Sequence, residues 1–210
     1  MNEVIAVMPT RGLIFSETLE SLKLNGIELD NLIIKSGLGI PDAQNWVAKE
    51  ALKSYTSYVL FVEDDMVVPE GTLQKMIKMD KAIVAVNYPM ENGCETVCRS
   101  KDEVMWCGLG FTLVKRGVLQ SFGDNPFTTS RSYRIESTSP LQLVKQDNPC
   151  KYGGHDINFC MRARELGFEI AVLPDVEAKH LRCSNLRRDD TNSGVFEIKP
   201  LDKITKYQNY

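Results

Sequence analysis

The sequence lacks the features that would place the chain in several classes of protein. It has no apolar run approaching the roughly 20 residues that span a bilayer, and its N-terminus has neither the basic stretch nor the cleavage site of a signal peptide. None of its six cysteines forms a Cys-x-x-Cys pair, and no Asn-x-Ser/Thr sequon occurs. We therefore expect a cytoplasmic protein with free thiols, without a transmembrane segment, a zinc site or a disulfide framework.

The chain also carries little net charge. Its formal net charge of −3 gives no sign of a polyanion-binding surface, although a local basic patch is compatible with it. The 43% hydrophobic and 25% charged residues are ordinary for a globular protein. A length of 210 residues is enough for one large domain with a substantial core.

Apolar runs and segments of helical period alternate through the first half of the chain. The predicted strands are Val4–Met8, Leu32–Ile34, Tyr58–Val62 and Ala82–Val86. The predicted helices start at Ser16 and Asp42 as N-caps and at Glu70, and they end near Gly26, Lys53 and Met79. This order predicts an α/β fold with a central, mostly parallel sheet flanked by helices, and with ligands beyond the carboxyl ends of the strands.

The second half is less regular. Trp106–Val114 is predicted as one strand whose glycines allow close backbone approach, followed by a helix from Lys115. We interpret Gly123–Gln146 as a long loop with one short strand near Leu141–Val144. The last predicted elements are a helix opened by Gly153-Gly154-His155-Asp156 and ended by Gly167, a strand Glu169–Leu173 and the segment Val176–His180.

Three adjacent acids follow the third predicted strand. Glu63, Asp64 and Asp65 come directly after Tyr58–Val62, so three carboxylates repel one another at the end of a buried strand. A divalent cation or hydrogen-bond donors would make this arrangement favourable, and oxygen ligands suit Mg²⁺ or Mn²⁺. The alternative is a solvated turn that happens to be acidic.

The order of these features resembles that of a known family. The acidic triplet, the glycine-rich segment Trp106–Phe111, the helix start at Asp156 and a late strand-end His180 resemble the GT-A-fold glycosyltransferases, especially those similar to family 2. The resemblance covers roughly Val4 to Arg182. It implies a GT-A fold and a metal-dependent, inverting transfer of a sugar from a nucleotide-diphosphate donor, UDP-linked, to an acceptor hydroxyl.

The resemblance also implies which residues act. Asp65 and His180 match metal ligands for Mn²⁺ or Mg²⁺, and Asp156 matches the general base that takes the proton of the acceptor hydroxyl. The residues that match the donor-binding positions are Pro9, Thr10 and Arg11 beside the nucleoside, Asn45 in the same pocket, and Glu63 or Asp64 at the ribose or sugar. A basic group expected to close over the diphosphate comprises Lys179, Arg182, Arg187 and Arg188.

The resemblance further implies a single GT-A-like domain over residues 1–210. Residues 1–90 would form the nucleotide-binding half, 91–188 the acceptor and metal half, and 189–210 a C-terminal tail. The acceptor side is expected at Trp106–Phe111 and in the irregular region 123–151. A glycan, a protein side chain, a hydroxylated small molecule or a nucleobase would each fit as the acceptor.

Each assignment has an alternative. Asp156 would also serve as a helix N-cap, His180 as a structural histidine and Arg11 as a surface charge. His155 next to Asp156 departs from the Glu-Asp pair often found in family 2. At the level of function, the alternatives are a nucleotidyltransferase on a similar sheet and a non-catalytic module that binds nucleotide sugar or glycan.

Overall fold

The computed structural model describes residues 3–90, 95–101, 103–138, 141–146, 154–184 and 197–200. The strands are β1 Val4–Pro9, β2 Leu32–Lys35, β3 Tyr58–Val62, β4 Met66–Val67, β5 Ile83–Val86, β6 Cys98–Ser100, β7 Glu103–Trp106, β8 Phe111–Lys115, β9 Ser132–Thr138, β10 Leu141–Gln146, β11 Ile170–Leu173, β12 Lys179–Ser184 and β13 Glu197–Pro200. The helices are α1 Ser16–Leu24, α2 Asp42–Ala51, α3 Thr72–Lys78, α4 Arg116–Ser121 and α5 His155–Glu165.

The central sheet has six strands in the order β11-β5-β8-β3-β1-β2. β1 pairs in parallel with β2 and β3, and β11 pairs in parallel with β5. Only β8 runs against its two neighbours in this sheet, β3 and β5. The predicted α/β fold with a central, mostly parallel sheet is confirmed, and the strand order brings the carboxyl ends of β1, β3 and β5 to one edge.

The strand β3 is apolar throughout because both faces of the sheet are covered. Tyr58, Leu60 and Val62 pack in the cluster that contains side chains of α1 and α3. Val59 and Phe61 pack in the cluster on the opposite face, which contains side chains of α2, α4 and α5. A strand buried on both faces has no polar alternation, which explains the continuous apolar run in the sequence.

The prediction of one strand over Trp106–Val114 is wrong. β7 ends at Trp106 and β8 begins at Phe111, with the buried connection Cys107–Gly110 between them. Tyr88 fills the space beside both glycines, since a Cβ added at Gly108 or Gly110 would lie 2.6 Å or 2.5 Å from the Tyr88 hydroxyl oxygen. The glycines therefore accommodate an aromatic side chain rather than a neighbouring strand.

Several element boundaries also differ from the prediction. The N-cap positions of α1 and α2 are Phe15 and Pro41, so Ser16 and Asp42 are the first helical residues and make no capping hydrogen bond. Helix α3 starts two residues later than predicted, at Thr72. The short strand predicted near Leu141–Val144 is confirmed as part of β10. The stretch before it was predicted as a loop, but it contains β9, which pairs antiparallel with β10.

The remaining features concern the cysteines, the membrane and the C-terminal segment. Cys98, Cys107 and Cys160 are free thiols, as expected. In the part of the chain that the structure describes, no helix is both long and apolar enough to cross a membrane. Within the predicted C-terminal tail, Glu197–Pro200 forms a strand that pairs antiparallel with β12.

Candidate metal and nucleotide site

The acidic triplet lies at the carboxyl edge of the sheet, where β3 ends. A turn joins β3 to β4 at this point, and in it the Met66 N–H donates to the Glu63 carbonyl at 3.4 Å. The side chains of the triplet have two sets of contacts: Glu63 and Asp65 approach His180, whereas Asp64 accepts a hydrogen bond from Thr10. The three acids therefore belong to two different groups.

A short antiparallel pairing brings His180 to this edge. β4 pairs with β12 so that Met66 lies opposite His180, and the Leu181 N–H donates to the Asp65 carbonyl oxygen at 2.7 Å. His180 Nε2 lies 3.1 Å from Asp65 Oδ1 and 3.5 Å from Glu63 Oε2. The two residues predicted as metal ligands are thus neighbours, and they are joined by Glu63, which the sequence analysis assigned to the donor.

Glu63, Asp65 and His180 form a candidate metal site, which we name the acidic cluster. One ligand atom from each of the three residues lies within 4.8 Å of the others. Asp65 and His180 are only 7% and 5% exposed. Two carboxylate oxygens and one imidazole nitrogen suit Mn²⁺, and the carboxylates also suit Mg²⁺. The residues present therefore fit a divalent cation.

The electrostatics of the acidic cluster favour bound positive charge. The Glu63 side chain is 39% exposed, and its partial removal from water is the main reason that its pKa rises to about 7. His180 opposes this rise, while the negative charges of Asp65, Asp156 and Asp64 add to it. A divalent cation would offset the repulsion among these carboxylates.

Tyr88 holds the backbone and the imidazole of the acidic cluster together. Its ring packs edge-on against His180, with 5.3 Å between ring centroids, and its hydroxyl accepts the Gly110 N–H at 2.9 Å. The Gly110 carbonyl in turn accepts the Glu63 N–H at 2.9 Å. Burial raises the pKa of Tyr88 well above its usual value, so the hydroxyl stays protonated. Sequence reasoning missed Tyr88; the available signal was the spacing of Gly108 and Gly110.

Asp64 connects the end of β3 to the loop that follows β1. The Thr10 hydroxyl donates to Asp64 Oδ2. The Asp64 carbonyl accepts the Phe15 N–H at 3.0 Å and the Thr18 hydroxyl at 3.2 Å. Burial raises the pKa of Asp64, whereas the Thr10 hydrogen bond and Arg11 lower it. Asp64 therefore holds the loop after β1, which contains the residues predicted to border the nucleoside.

The three residues predicted to border the nucleoside have different environments. Pro9 ends β1 and is half-buried. Thr10 is 7% exposed, and its N–H donates to the Lys35 carbonyl at 2.8 Å. Arg11 is exposed. Thr10 therefore stabilises the loop through buried hydrogen bonds, and the guanidinium of Arg11 lies at the surface.

Asn45 binds the backbone of the segment before β9. Its Nδ2 donates to the Phe127 carbonyl at 2.9 Å, and its Oδ1 accepts the Phe127 N–H at 2.9 Å. Phe127 is 1% exposed and packs against Phe61 and Phe159. The carboxamide thus joins α2 to the segment before β9, while the role of Asn45 in nucleotide binding stays a prediction.

Replacing Asn45 by alanine is expected to lower the free energy of unfolding by about 2–3 kcal/mol, because two hydrogen bonds are lost and the Phe127 backbone groups are left without partners. Urea unfolding measures this change. If Asn45 also contacts the nucleotide, UDP affinity falls in the same variant beyond the effect of lost stability. An unchanged midpoint of unfolding would contradict the structural role.

Asp156 lies in the first turn of α5. The N-cap of this helix is Gly154, so Asp156 is the second helical residue and not the cap, and its Oδ1 accepts the Ile157 N–H at 2.8 Å. Its negative charge contributes to the raised pKa values of Glu63 and Tyr88, while its role as the general base stays a prediction. Burial lowers the pKa of His155, its neighbour.

The basic group predicted to close over the diphosphate is only partly described. Lys179 is exposed beside His180. Arg182 belongs to β12, and Arg187 and Arg188 lie outside the described residues. The role of these four residues stays a prediction.

The comparisons with known proteins concern the fold. No family model and no curated protein sequence matches the chain. The structure of A197 from STIV matches with a TM-score of 0.63 at 19% identity, over 85% of each chain. The structure of S. aureus TarS 1–349 in complex with UDP-GlcNAc matches with a TM-score of 0.51 at 14% identity, over 83% of this chain and 56% of TarS. The TarS complex with UDP gives a TM-score of 0.50 at 14% identity, over 58% of TarS.

These matches show that the chain has a GT-A glycosyltransferase-like fold. The chain spans a little more than half the length of the TarS fragment. The fold expected from the order of the sequence motifs is therefore confirmed.

Proposed function

We propose that this protein is a metal-dependent, inverting glycosyltransferase that moves a sugar from a UDP-linked donor to an acceptor hydroxyl. The observation that carries the proposal is the acidic cluster at the carboxyl edge of a GT-A-like sheet. The TarS fragment with the same fold was crystallised with UDP and with UDP-GlcNAc, which supports a nucleotide-sugar donor.

The acidic cluster would hold the metal through Asp65, His180 and Glu63. When bound, Mn²⁺ or Mg²⁺ would stabilise the negative charge that develops on the diphosphate leaving group. This assignment moves Glu63 from the donor-binding set to the metal-binding set, because its carboxylate lies beside His180 Nε2. Asp64, bonded to Thr10, would instead shape the nucleoside side of the site.

Asp156 would act as the general base. In a single displacement, the acceptor oxygen forms a bond to the anomeric carbon while the bond from that carbon to the diphosphate breaks. The electron pair of that bond leaves with the diphosphate, and the hydroxyl proton passes to the Asp156 carboxylate. Because attack and departure occur on opposite faces of the sugar, the anomeric configuration inverts.

The experiment that tests the proposal separates donor binding from turnover. For the unaltered protein, we expect UDP to raise the melting temperature only when Mn²⁺ is present. At about 100 times its dissociation constant, a ligand stabilises the native state by roughly 2.7 kcal/mol, which a thermal-shift titration detects. For Asp156→Asn, the same shift is expected, while UDP release from UDP-GlcNAc in the presence of candidate acceptors falls about 10²–10⁴-fold through loss of the base.

Asp30→Asn is the matched control, since Asp30 is an exposed acid between α1 and β2. It should leave both readouts unchanged. GDP, CDP and dTDP tested beside UDP identify the base that the site accepts. If no nucleotide shifts the melting temperature with Mn²⁺, the acidic triplet is an acidic turn and the proposal fails. Nucleotide binding without any turnover would indicate a binding module.

A further inference from the structure

Two adjoining cavities lie beyond the carboxyl ends of β5 and β11. Their volumes are about 410 Å³ and about 290 Å³, and Asn87, Val176 and Glu177 line both. Because the two cavities share these lining residues, we treat them together and name them the β5–β11 cleft. Its smaller part reaches Tyr88 and His180, so the cleft opens directly beside the acidic cluster.

The cleft combines aliphatic walls with charges of both signs. Leu173, Val176 and Pro89 contribute apolar surface. The polar and charged residues that line it are Asn87, Glu95, Arg99, Asp175, Glu177 and Lys179. Two cations and three acids leave no strong potential of one sign, which disfavours both polyanions and cationic ligands.

The charged groups of the cleft are available to a ligand. Within the described part of the chain, the side chains of Arg99, Asp175, Glu177 and Lys179 make no hydrogen bond or ion pair, and all four are exposed. Guanidinium and ammonium groups donate hydrogen bonds and carboxylates accept them, and each hydroxyl of a sugar does both. The aliphatic walls suit the C–H faces of a sugar ring. The lining therefore matches a neutral, hydroxyl-rich molecule.

We propose that the β5–β11 cleft binds the acceptor substrate and that this acceptor is a neutral carbohydrate. The inference rests on the proposed function, because it places the acceptor hydroxyl next to the metal-bound donor. Tyr88 links the two regions, because it lines the cleft and its ring contacts His180. The negative charge of Asp156 also contributes to the raised pKa of Tyr88. The expected acceptor segment at Trp106–Phe111 offers little surface for this task, since 107–111 are buried.

Saturation-transfer NMR tests the proposal with defined probes. The neutral probes are glucose, galactose, N-acetylglucosamine and maltotriose, and the charged probes are glucose 6-phosphate, glucuronate and glucosamine. We expect at least one neutral sugar to bind. Its dissociation constant should rise about fivefold or more in Glu177→Ala and in Arg99→Ala, because each removes a hydrogen-bonding partner. Both residues are exposed, so the fold should be retained.

Glu20→Ala is the matched control, since Glu20 is an exposed acid on α1, away from the cleft. It should bind the sugar as the unaltered protein does. If no neutral sugar binds, or if binding is the same in Glu177→Ala and Arg99→Ala, the cleft is not the acceptor site. Tighter binding of a charged probe than of any neutral sugar would contradict the proposal that the acceptor is a neutral carbohydrate.

The measurement of sugar binding distinguishes failure of the cleft proposal from failure of the proposed donor site. UDP with Mn²⁺ should stabilise Glu177→Ala as it stabilises the unaltered protein. Loss of sugar binding with retained UDP binding supports both proposals. UDP binding without any neutral sugar binding overturns the cleft alone, and sugar binding without any nucleotide effect overturns the glycosyltransferase proposal while the cleft remains a carbohydrate site.

Discussion

Asp65→Ala is expected to abolish the Mn²⁺-dependent stabilisation by UDP and to reduce turnover of UDP-GlcNAc by about 10³-fold or more. A bound cation contributes several kcal/mol of transition-state stabilisation, and each 1.4 kcal/mol is a factor of ten in rate. Asp65 is the most buried carboxylate of the acidic cluster and lies 3.1 Å from His180. Thermal shift and UDP release measure the two effects.

The fold should survive this substitution. The side-chain contact with His180 is lost, but the Asp65 backbone carbonyl still accepts the Leu181 N–H, so alanine retains this connection between the turn and β12. Removal of one carboxylate also relieves repulsion with Glu63 when no cation is present. A variant that unfolds like the unaltered protein but no longer responds to Mn²⁺ supports the metal assignment. Undiminished turnover in Asp65→Ala would exclude it.

The parts of the fold that were predictable from the sequence are those that depend on local pattern. β1, β3 and β5 have continuous apolar runs because the sheet is covered on both faces at these strands, and such runs are visible without knowledge of their partners. The acidic triplet was also visible as a local pattern, because three charged residues directly after the apolar run Tyr58–Val62 do not fit a hydrophobic core. Its neighbour His180 was found only through the family resemblance.

The parts that were not predictable depend on contacts distant in sequence. The pairing of Met66 with His180 crosses more than a hundred residues and leaves no local signature. Tyr88 was overlooked because a tyrosine after a strand is unremarkable until its ring is found against two glycines. The separation of Glu63 and Asp65 from Asp64 arises in the turn between β3 and β4, and the partners His180 and Thr10 lie far from that turn in sequence.

The hairpin of β9 and β10 illustrates a different obstacle. β9 alternates Tyr133 and Ile135 with Arg134 and Glu136, which is the pattern typical of a half-buried strand, but the alternation is short and lies in a stretch rich in Ser and Thr. The prediction therefore recognised only the partner strand at Leu141–Val144. The pairing of the two strands has a register shift between Gln142 and Leu143, which no local pattern indicates.

Gly110→Ala is expected to destabilise the protein by about 2–4 kcal/mol, since overpacking a tight site costs about 1–3 kcal/mol and a lost hydrogen bond costs about 1 kcal/mol. The new Cβ would lie 2.5 Å from Tyr88 Cζ and from its hydroxyl oxygen. Tyr88 is 4% exposed and packs against His180, so its ring has little room to retreat. Urea unfolding measures the loss.

Gly117→Ala is the matched control. Gly117 lies in α4, and a Cβ there meets no atom within 4 Å. Alanine in a helix is more favourable than glycine by roughly 0.5–1 kcal/mol, so this variant should be slightly more stable than the unaltered protein. Two glycine-to-alanine substitutions would then change the free energy of unfolding in opposite directions. Equal effects at both positions would contradict the role of Tyr88.

A double variant identifies the cause. Tyr88→Ala removes the ring that the new Cβ meets, so the combined loss in Gly110→Ala with Tyr88→Ala should be smaller than the sum of the single losses, by about 0.5–3 kcal/mol for residues in direct contact. The same displacement of Tyr88 withdraws the edge contact from His180, and Gly110→Ala should therefore also weaken the Mn²⁺-dependent effect of UDP. If Gly110→Ala binds UDP with Mn²⁺ normally while losing stability, Tyr88 supports the fold without positioning His180.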